Sequence, residues 1–195
     1  MRNAEFDRQN VLRAAMRAFM VKGYAKTSMQ DLTKATGLHP GSIYCAFDNK
    51  KGLLLAAIEQ YNQDRIAQFA QFFDNQDSPL HNLKCYLDQI VQECLSCDAT
   101  QACLLTKALN EIGEQDEEIS QLIQGNLLIW QQGIESILEQ AKSQGLIDNQ
   151  SDSQLQAQYL MMGIYGLRTF AHTHPTADVL QPLADKLFAS ITPFR

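Results

Sequence analysis

The sequence predicts an all-α chain, a small head of three short helices followed by a longer helical body. Three observations carry this. Apolar residues recur at steps of three and four along most of the chain. No segment alternates apolar and polar residues as a half-buried strand would. Residues 35–54, ATGLHPGSIYCAFDNKKGLL, set Gly37 and Gly41 on either side of Pro40 between two helical patterns, which is the punctuation of short helices joined by a tight turn.

The elements follow in order. Val11, Leu12, Ala15, Phe19 and Met20 line one face of a first helix that Gly23 stops. Thr27 and Ser28 then precede Asp31 at capping-box spacing, with Asp in place of the usual Glu or Gln. They open a short helix from Met29 to Thr36, ended by Gly37. A third helix fits Pro40 to Phe47. Asp48 and Asn49 break it, and Lys50 and Lys51 open a long fourth helix to about Phe73. DNQDSP is a loop, and Pro79 begins a helix reaching about Cys97. A shorter helix is expected over Ala102 to Ile112. Asp116, Glu117 and Glu118 place acids at the start of another, running toward Gln144 before Gly145. Ser151 or Ser153 starts the next, which ends near HTHP. The last lies within 177–192, where Pro182 requires either a start near Gln181 or a kink.

Composition bounds the function. The chain has 195 residues, 45% hydrophobic, enough for a real core. No run of about 18 apolar residues is present, so no membrane span is expected. The first ten residues lack an apolar signal segment, and the expected location is the cytoplasm. Five cysteines without a signal read as free thiols. Net charge is −6, yet residues 1–52 hold 9 basic and 4 acidic residues, and the remainder 7 basic and 18 acidic. A basic head on an acidic body suits a protein that grips phosphates at one end. The division is therefore placed at 1–52 for the head and 53–195 for the body.

Three short helices, the second and third joined by a glycine turn, match a DNA-binding helix-turn-helix. Ile43 and Phe47 share the inward face of the third helix. Gly41 and Ser42 are small enough for close backbone approach to a base edge or phosphate. Tyr44 lies off the inner face and can give its hydroxyl to a phosphate. Lys50, at the start of the long helix, adds charge and helix-end N–H groups, whereas Lys51 is expected to face solvent.

The set Val11, Leu12, Ala14, Ala15, Phe19, Gly23, Tyr24, Thr27, Ser28, Asp31, Leu32, Ala35, Gly37, Gly41, Tyr44, Phe47, Lys50, Leu53 and Leu54 resembles the tetracycline-repressor (TetR) family of bacterial transcription regulators. The resemblance covers about a quarter of the chain. It implies a homodimer on double-stranded operator DNA, usually repressing transcription, with a small-molecule inducer in the C-terminal ligand-binding and dimerisation domain. It also implies contacts from Thr27 and Ser28 to phosphate or groove edge, from Pro40, Gly41 and Ser42 to bases, and from Tyr44 and Lys50 to phosphates. His39, Cys45 and Ala46 depart from the family's usual choices. Base preference is thus expected to lean on shape and backbone contacts.

In the body, AQYLMMGIYGLRTFA (157–171) is apolar nearly all round, so it must be covered on two sides. Gly163 and Gly166 allow another helix close. Val179, Leu183, Leu187 and Ile191 form one row of the last helix, with Leu180, Ala184 and Phe188 beside it. These two helices are expected to build a four-helix dimer interface. The helix from Lys50 is the natural lever between head and body. Phe69, Cys103, Trp130, Met162 and Tyr165 are candidate ligand-pocket residues.

Cys94 and Cys97 form a CxxC without a second pair, so no metal site is expected. With Cys103 they are candidate thiol sensors. Cys103 opens CLLTKALNEI, which loosely resembles a segment of family members that respond to electrophiles or oxidants. His172 and His174 straddle a helix end. No nucleophile–base pair, P-loop or dinucleotide fingerprint is present, so neither an enzyme nor a cofactor is expected. A thiol-based regulator and a helical adaptor that binds no DNA are the alternatives; salt-dependent duplex binding separates a regulator from an adaptor.

Overall fold

The computed structural model describes residues 6–74, 77–96, 108, 110–111 and 116–192. Regular structure among them is helical: α1 (Arg8–Lys22), α2 (Met29–Thr36), α3 (Pro40–Phe47), α4 (Lys50–Phe73), α5 (Pro79–Leu95), α6 (Glu117–Ser143), α7 (Ser153–Phe170) and α8 (Ala177–Ile191), with a 3-10 turn at Ala171–Thr173 between the last two. The helix expected over 102–112 falls largely outside the described residues, although Ala108, Asn110 and Glu111 are helical. Two units divide the chain, Met1–Arg65 with Ala102–Gly125, and Ile66–Gln101 with Asn126–Arg195. The divisions fall inside α4 and α6.

In the first unit the helix ends obey local chemistry. Asp7 caps α1 by accepting from the Asn10 N–H. Ser28 and Asp31 form the reciprocal capping box at α2, each side chain accepting from the other's backbone. Gly37 takes the left-handed conformation (φ 71°, ψ 4°) that ends α2 and would strain any residue with a Cβ. Val11, Leu12, Ala15, Phe19, Met20, Leu32, Ile43, Phe47, Leu53, Leu54, Ala57 and Ile58 are buried. Gly52 lies against the end of α3: a Cβ there would stand 2.0 Å from the Phe47 carbonyl oxygen. Arg13 of α1 clasps Asp64 of α4 through two hydrogen bonds, 2.8 and 2.7 Å, and Gln60 donates to the same carboxylate.

The second unit packs α5, the later part of α6, α7 and α8 around one core. Leu83, Leu87, Ile90 and Val91 meet Ile134, Leu138, Leu160, Ile164, Leu180, Ala184, Leu187 and Ile191. Helix α6 ends in a Schellman turn, with Leu146 N–H on the Ala141 carbonyl, Gly145 N–H on that of Lys142, and Gly145 at φ 69°. Helix α7 starts at Ser153, one of the two expected starts, and the carboxylate of Asp152 caps it, accepting from Leu155 N–H. Helix α5 ends at Leu95, two residues short of Cys97, where Ser96 turns extended. Helix α8 starts at Ala177 and runs through Pro182, leaving the Asp178 carbonyl without its usual i+4 donor. The predicted row on α8 divides: Leu187 and Ile191 are buried, whereas Val179 and Leu183 are exposed. Gly163 admits α8 closely, since a Cβ there would fall 2.3 Å from Leu187. Gly166 has open space.

Candidate nucleic-acid interface

Helix α3 is anchored by its sequence. Ile43 and Phe47 are buried, which turns Gly41, Tyr44 and Cys45 outward, with Pro40 exposed at the first helical position and Ser42 half-buried. Tyr44 is 49% exposed. Proline at the helix start needs no N–H partner, so the chain enters α3 directly from the turn after Gly37. Ser28 is exposed at the other end of the motif, but its hydroxyl is engaged with Asp31. The Lys22 ammonium, Ser28 hydroxyl and Ser28 backbone hold the Asp31 carboxyl far below the ordinary carboxylate range.

Thr27 departs from expectation. It is 0% exposed, and its hydroxyl donates to the Gly23 carbonyl, so its side chain orders the turn before α2. Lys51 also departs from expectation. Its ammonium pairs with Asp116 at 2.7 Å and Glu118 at 2.8 Å, because acids at the start of α6 lie beside the start of α4 within the first unit. Lys50 stays unpaired by any carboxylate contact among the described residues and lies 4.3 Å from the centre of the Tyr24 ring. Partial burial lowers its pKa, and the nearby Glu111 carboxylate opposes that. Glu111 also accepts from the Ala25 N–H at 3.2 Å.

The net charge of the head therefore overstates what DNA can use. Arg13, Lys22 and Lys51 are paired internally with Asp64, Asp31 and Asp116. Arg8 lies over the Phe47 ring. Arg17, Lys26, Lys34 and Lys50 form no ion pair among the described residues and were not singled out by motif, apart from Lys50. Loop and helix-surface cations carry no spacing rule, so only the structure could separate them from the paired ones.

Of the pocket candidates, Phe69, Trp130 and Tyr165 all lie in the second unit. Trp130 and Tyr165 meet edge to face at 5.7 Å, and Phe69 meets Tyr86 edge to face at 4.9 Å. All three pack on the core. Met162 does not join them: it is 61% exposed, on a row of α7 with Leu155, Tyr159 and Phe170. Its neighbours Met161 and Leu160 take the core instead, and the helical period turns Met162 away. Cys94 is buried in the core, while Cys97 and Cys103 lie outside the described residues. Among the described residues no helix is long and apolar enough to cross a membrane.

Comparisons with known proteins identify the two parts of the chain. Residues 11–57 match the family described as "Bacterial regulatory proteins, tetR family", and residues 79–185 match "Tetracyclin repressor-like, C-terminal domain". The chain is 28% identical over 181 residues to the HTH-type transcriptional repressor ComR of Escherichia coli, covering 92% of this chain and 86% of that one. It is 30% identical over 173 residues to the HTH-type transcriptional regulator TtgR of Pseudomonas putida, covering 84% and 79%. Among solved structures, a cysteine mutant of the TetR family regulator CifR in complex with 26-base-pair operator DNA superposes with TM-score 0.85 at 23% identity, covering 97% and 99%. That likeness concerns the fold.

Proposed function

Since the chain belongs to the tetR family of bacterial regulatory proteins and carries its DNA-binding helix-turn-helix, we propose that it is a homodimeric repressor, released from its operator by a small molecule. It is a transcriptional regulator and not an enzyme. Residues 1–52 serve as the DNA-binding head and residues 53–195 as the ligand-binding and dimerisation domain, in the cytoplasm. The observation that carries the reading is the two-faced α3: Ile43 and Phe47 lock its inner side, and Pro40, Gly41 and Tyr44 stand free on the other. Small groups on the outer face permit close approach to a groove, and the Tyr44 hydroxyl can donate to a phosphate. Ser42 at the half-buried edge and Lys50 beside Tyr24 extend the same contact, with Ser28 at the opposite rim.

Dimerisation is supported by apolar side chains that a lone subunit leaves in water. Leu155, Tyr159, Met162 and Phe170 on α7, with Val179 and Leu183 on α8, are exposed. One short helix reads few base pairs, whereas two heads about 34 Å apart read successive major grooves. A ligand that favours another separation of the heads weakens DNA binding without touching DNA.

Fluorescence anisotropy with duplexes from the chromosomal neighbourhood of the gene tests this, at several salt concentrations. Tight binding to one duplex, a steep salt slope and a stoichiometry of two chains per site are expected. Salt-independent or absent binding would sink the proposal. A reporter placed behind the bound duplex should be repressed.

A further inference from the structure

We infer that the second unit takes a neutral, planar aromatic compound bearing a carbonyl-type oxygen, held against one face of α6 by the side-chain amide of Asn126 and the indole N–H of Trp130. The inference rests on the reading above that a small molecule binds the C-terminal domain, and it names that molecule's chemistry.

Asn126 is only 7% exposed. Its Nδ2 is enclosed and has no acceptor among the described residues, and the same holds for Nε1 of Trp130. The two residues stand four apart on α6, so both donors lie on one helix face, one turn from each other. Native proteins rarely leave a buried donor unmatched, and two neighbours of this kind mark a place where an acceptor is missing. Aromatic side chains surround that face. The Tyr165 ring stands edge-on to Trp130 at 5.7 Å. One turn further along, Phe69 rests on the bare backbone of Gly133, where a Cβ would be 3.3 Å from its ring, and Tyr86 backs it at 4.9 Å.

Electrical neutrality of the ligand follows from the charges nearby in sequence and packing. Arg168, one turn beyond Tyr165 on α7, is spent on Glu93 at 3.1 Å, and Gln68 donates to the same carboxylate at 2.8 Å. An anionic ligand would find two neutral donors, while Arg168, the nearest described cation along α7, already serves Glu93. A carbonyl oxygen has two lone pairs and can accept both N–H groups, while its aryl ring can lie against the neighbouring aromatic side chains.

The test uses the full-length protein and three probes of one shape: 2-acetylnaphthalene, 2-ethylnaphthalene and 2-naphthoate. Calorimetry gives affinities. Emission of Trp130, the single tryptophan of the chain, reports whether the compound lies beside it. The ketone should bind and change that emission. The ethyl compound, which leaves both donors unmet, should bind about tenfold more weakly or worse, and the carboxylate should also fall below the ketone. Asn126→Leu and Trp130→Phe should each shrink the ketone's advantage over the ethyl compound several-fold, with thermal melting showing that each variant is folded. Equal affinity for ketone and ethyl compound overturns the inference, as does preference for the carboxylate, or no heat and no emission change with any probe. Duplex anisotropy on the same samples keeps the two readings apart. A protein that grips its duplex but ignores these compounds loses this inference alone. One that binds the ketone but no duplex loses the regulator reading alone.

Discussion

Helices α3 and α7 are built on the same plan and differ in what they show to solvent. Each buries one face, Ile43 and Phe47 in α3, Leu160, Ile164 and Leu167 in α7. The outward face of α3 carries Gly41, Tyr44 and Cys45, small groups and one hydroxyl. The outward face of α7 carries Leu155, Tyr159, Met162 and Phe170. A wet, phosphate-lined partner requires the first; a second apolar surface requires the second. The inner faces give the fold, and the outer faces suit the two partners proposed above, duplex DNA and a second copy of the chain.

The strongest way to break this comparison is to put a charge on the α7 face. Met162→Glu should leave the monomer folded, since the residue is already exposed, but should bury an unpaired carboxylate in the dimer. Analytical ultracentrifugation should show single subunits, and affinity for a two-half-site duplex should fall about 100-fold or more as the two heads lose their linkage. A dimer that survives unchanged would move the interface elsewhere.

Next in size is the junction behind α3. Gly52→Ala sets a methyl group against the Phe47 carbonyl oxygen, which is backbone and cannot rotate aside. The end of α3 must shift, and a cost of about 1–3 kcal/mol is expected, as for overpacking in general. The melting temperature should drop, and duplex affinity should fall at unchanged subunit composition.

Tyr44→Phe removes one hydroxyl from an exposed position and should weaken the duplex complex by a modest factor, about fivefold for one hydrogen bond near 1 kcal/mol. The two lysines make a sharper contrast. Lys50→Gln should reduce the salt slope of binding by about 1, the signature of one lost phosphate contact. Lys51→Gln should leave that slope alone, because its charge already serves Asp116 and Glu118. If both variants behave alike, the assignment of the head's charges fails.

That contrast also marks what the sequence could and could not reveal. Ser28 with Asp31, Gly37 and Pro40 each set a helix end by a rule acting within a few residues, so α2 and α3 were legible down to their limits, whereas the Asp7 cap that starts α1 was not read. The partner of Lys51 lies 65 residues away at Asp116, and that of Arg13 lies 51 residues away at Asp64. No local pattern connects such pairs. Thr27 illustrates a second loss: the resemblance places it near DNA, yet a hydroxyl able to satisfy the Gly23 carbonyl turns inward. Met162 illustrates a third. A helix apolar on every side carries no phase, so inner and outer methionines look alike until a neighbour such as Leu187 fixes which face is covered. Asn126, polar and buried within α6, was hidden because an amide on an otherwise amphipathic helix reads as surface.

The smallest predicted effect concerns the clasp between α1 and α4, Arg13 with Asp64. Two hydrogen bonds from Arg13, and a further one from Gln60, hold the Asp64 carboxyl below its ordinary value. The group is easier to ionise folded than unfolded, so its contribution to stability is complete above the ordinary carboxylate range and fades as acid protonates it in the folded chain. Both side chains remain about a third exposed, and solvent screening keeps the contribution small. Asp64→Asn should therefore lower the melting temperature slightly at neutral pH. As pH falls below the ordinary carboxylate range the wild type should lose stability faster than the variant, and the two should converge in stronger acid. A parallel descent of the two melting curves would mean that the clasp holds no pH-linked free energy and that α1 and α4 are joined by their apolar contacts alone.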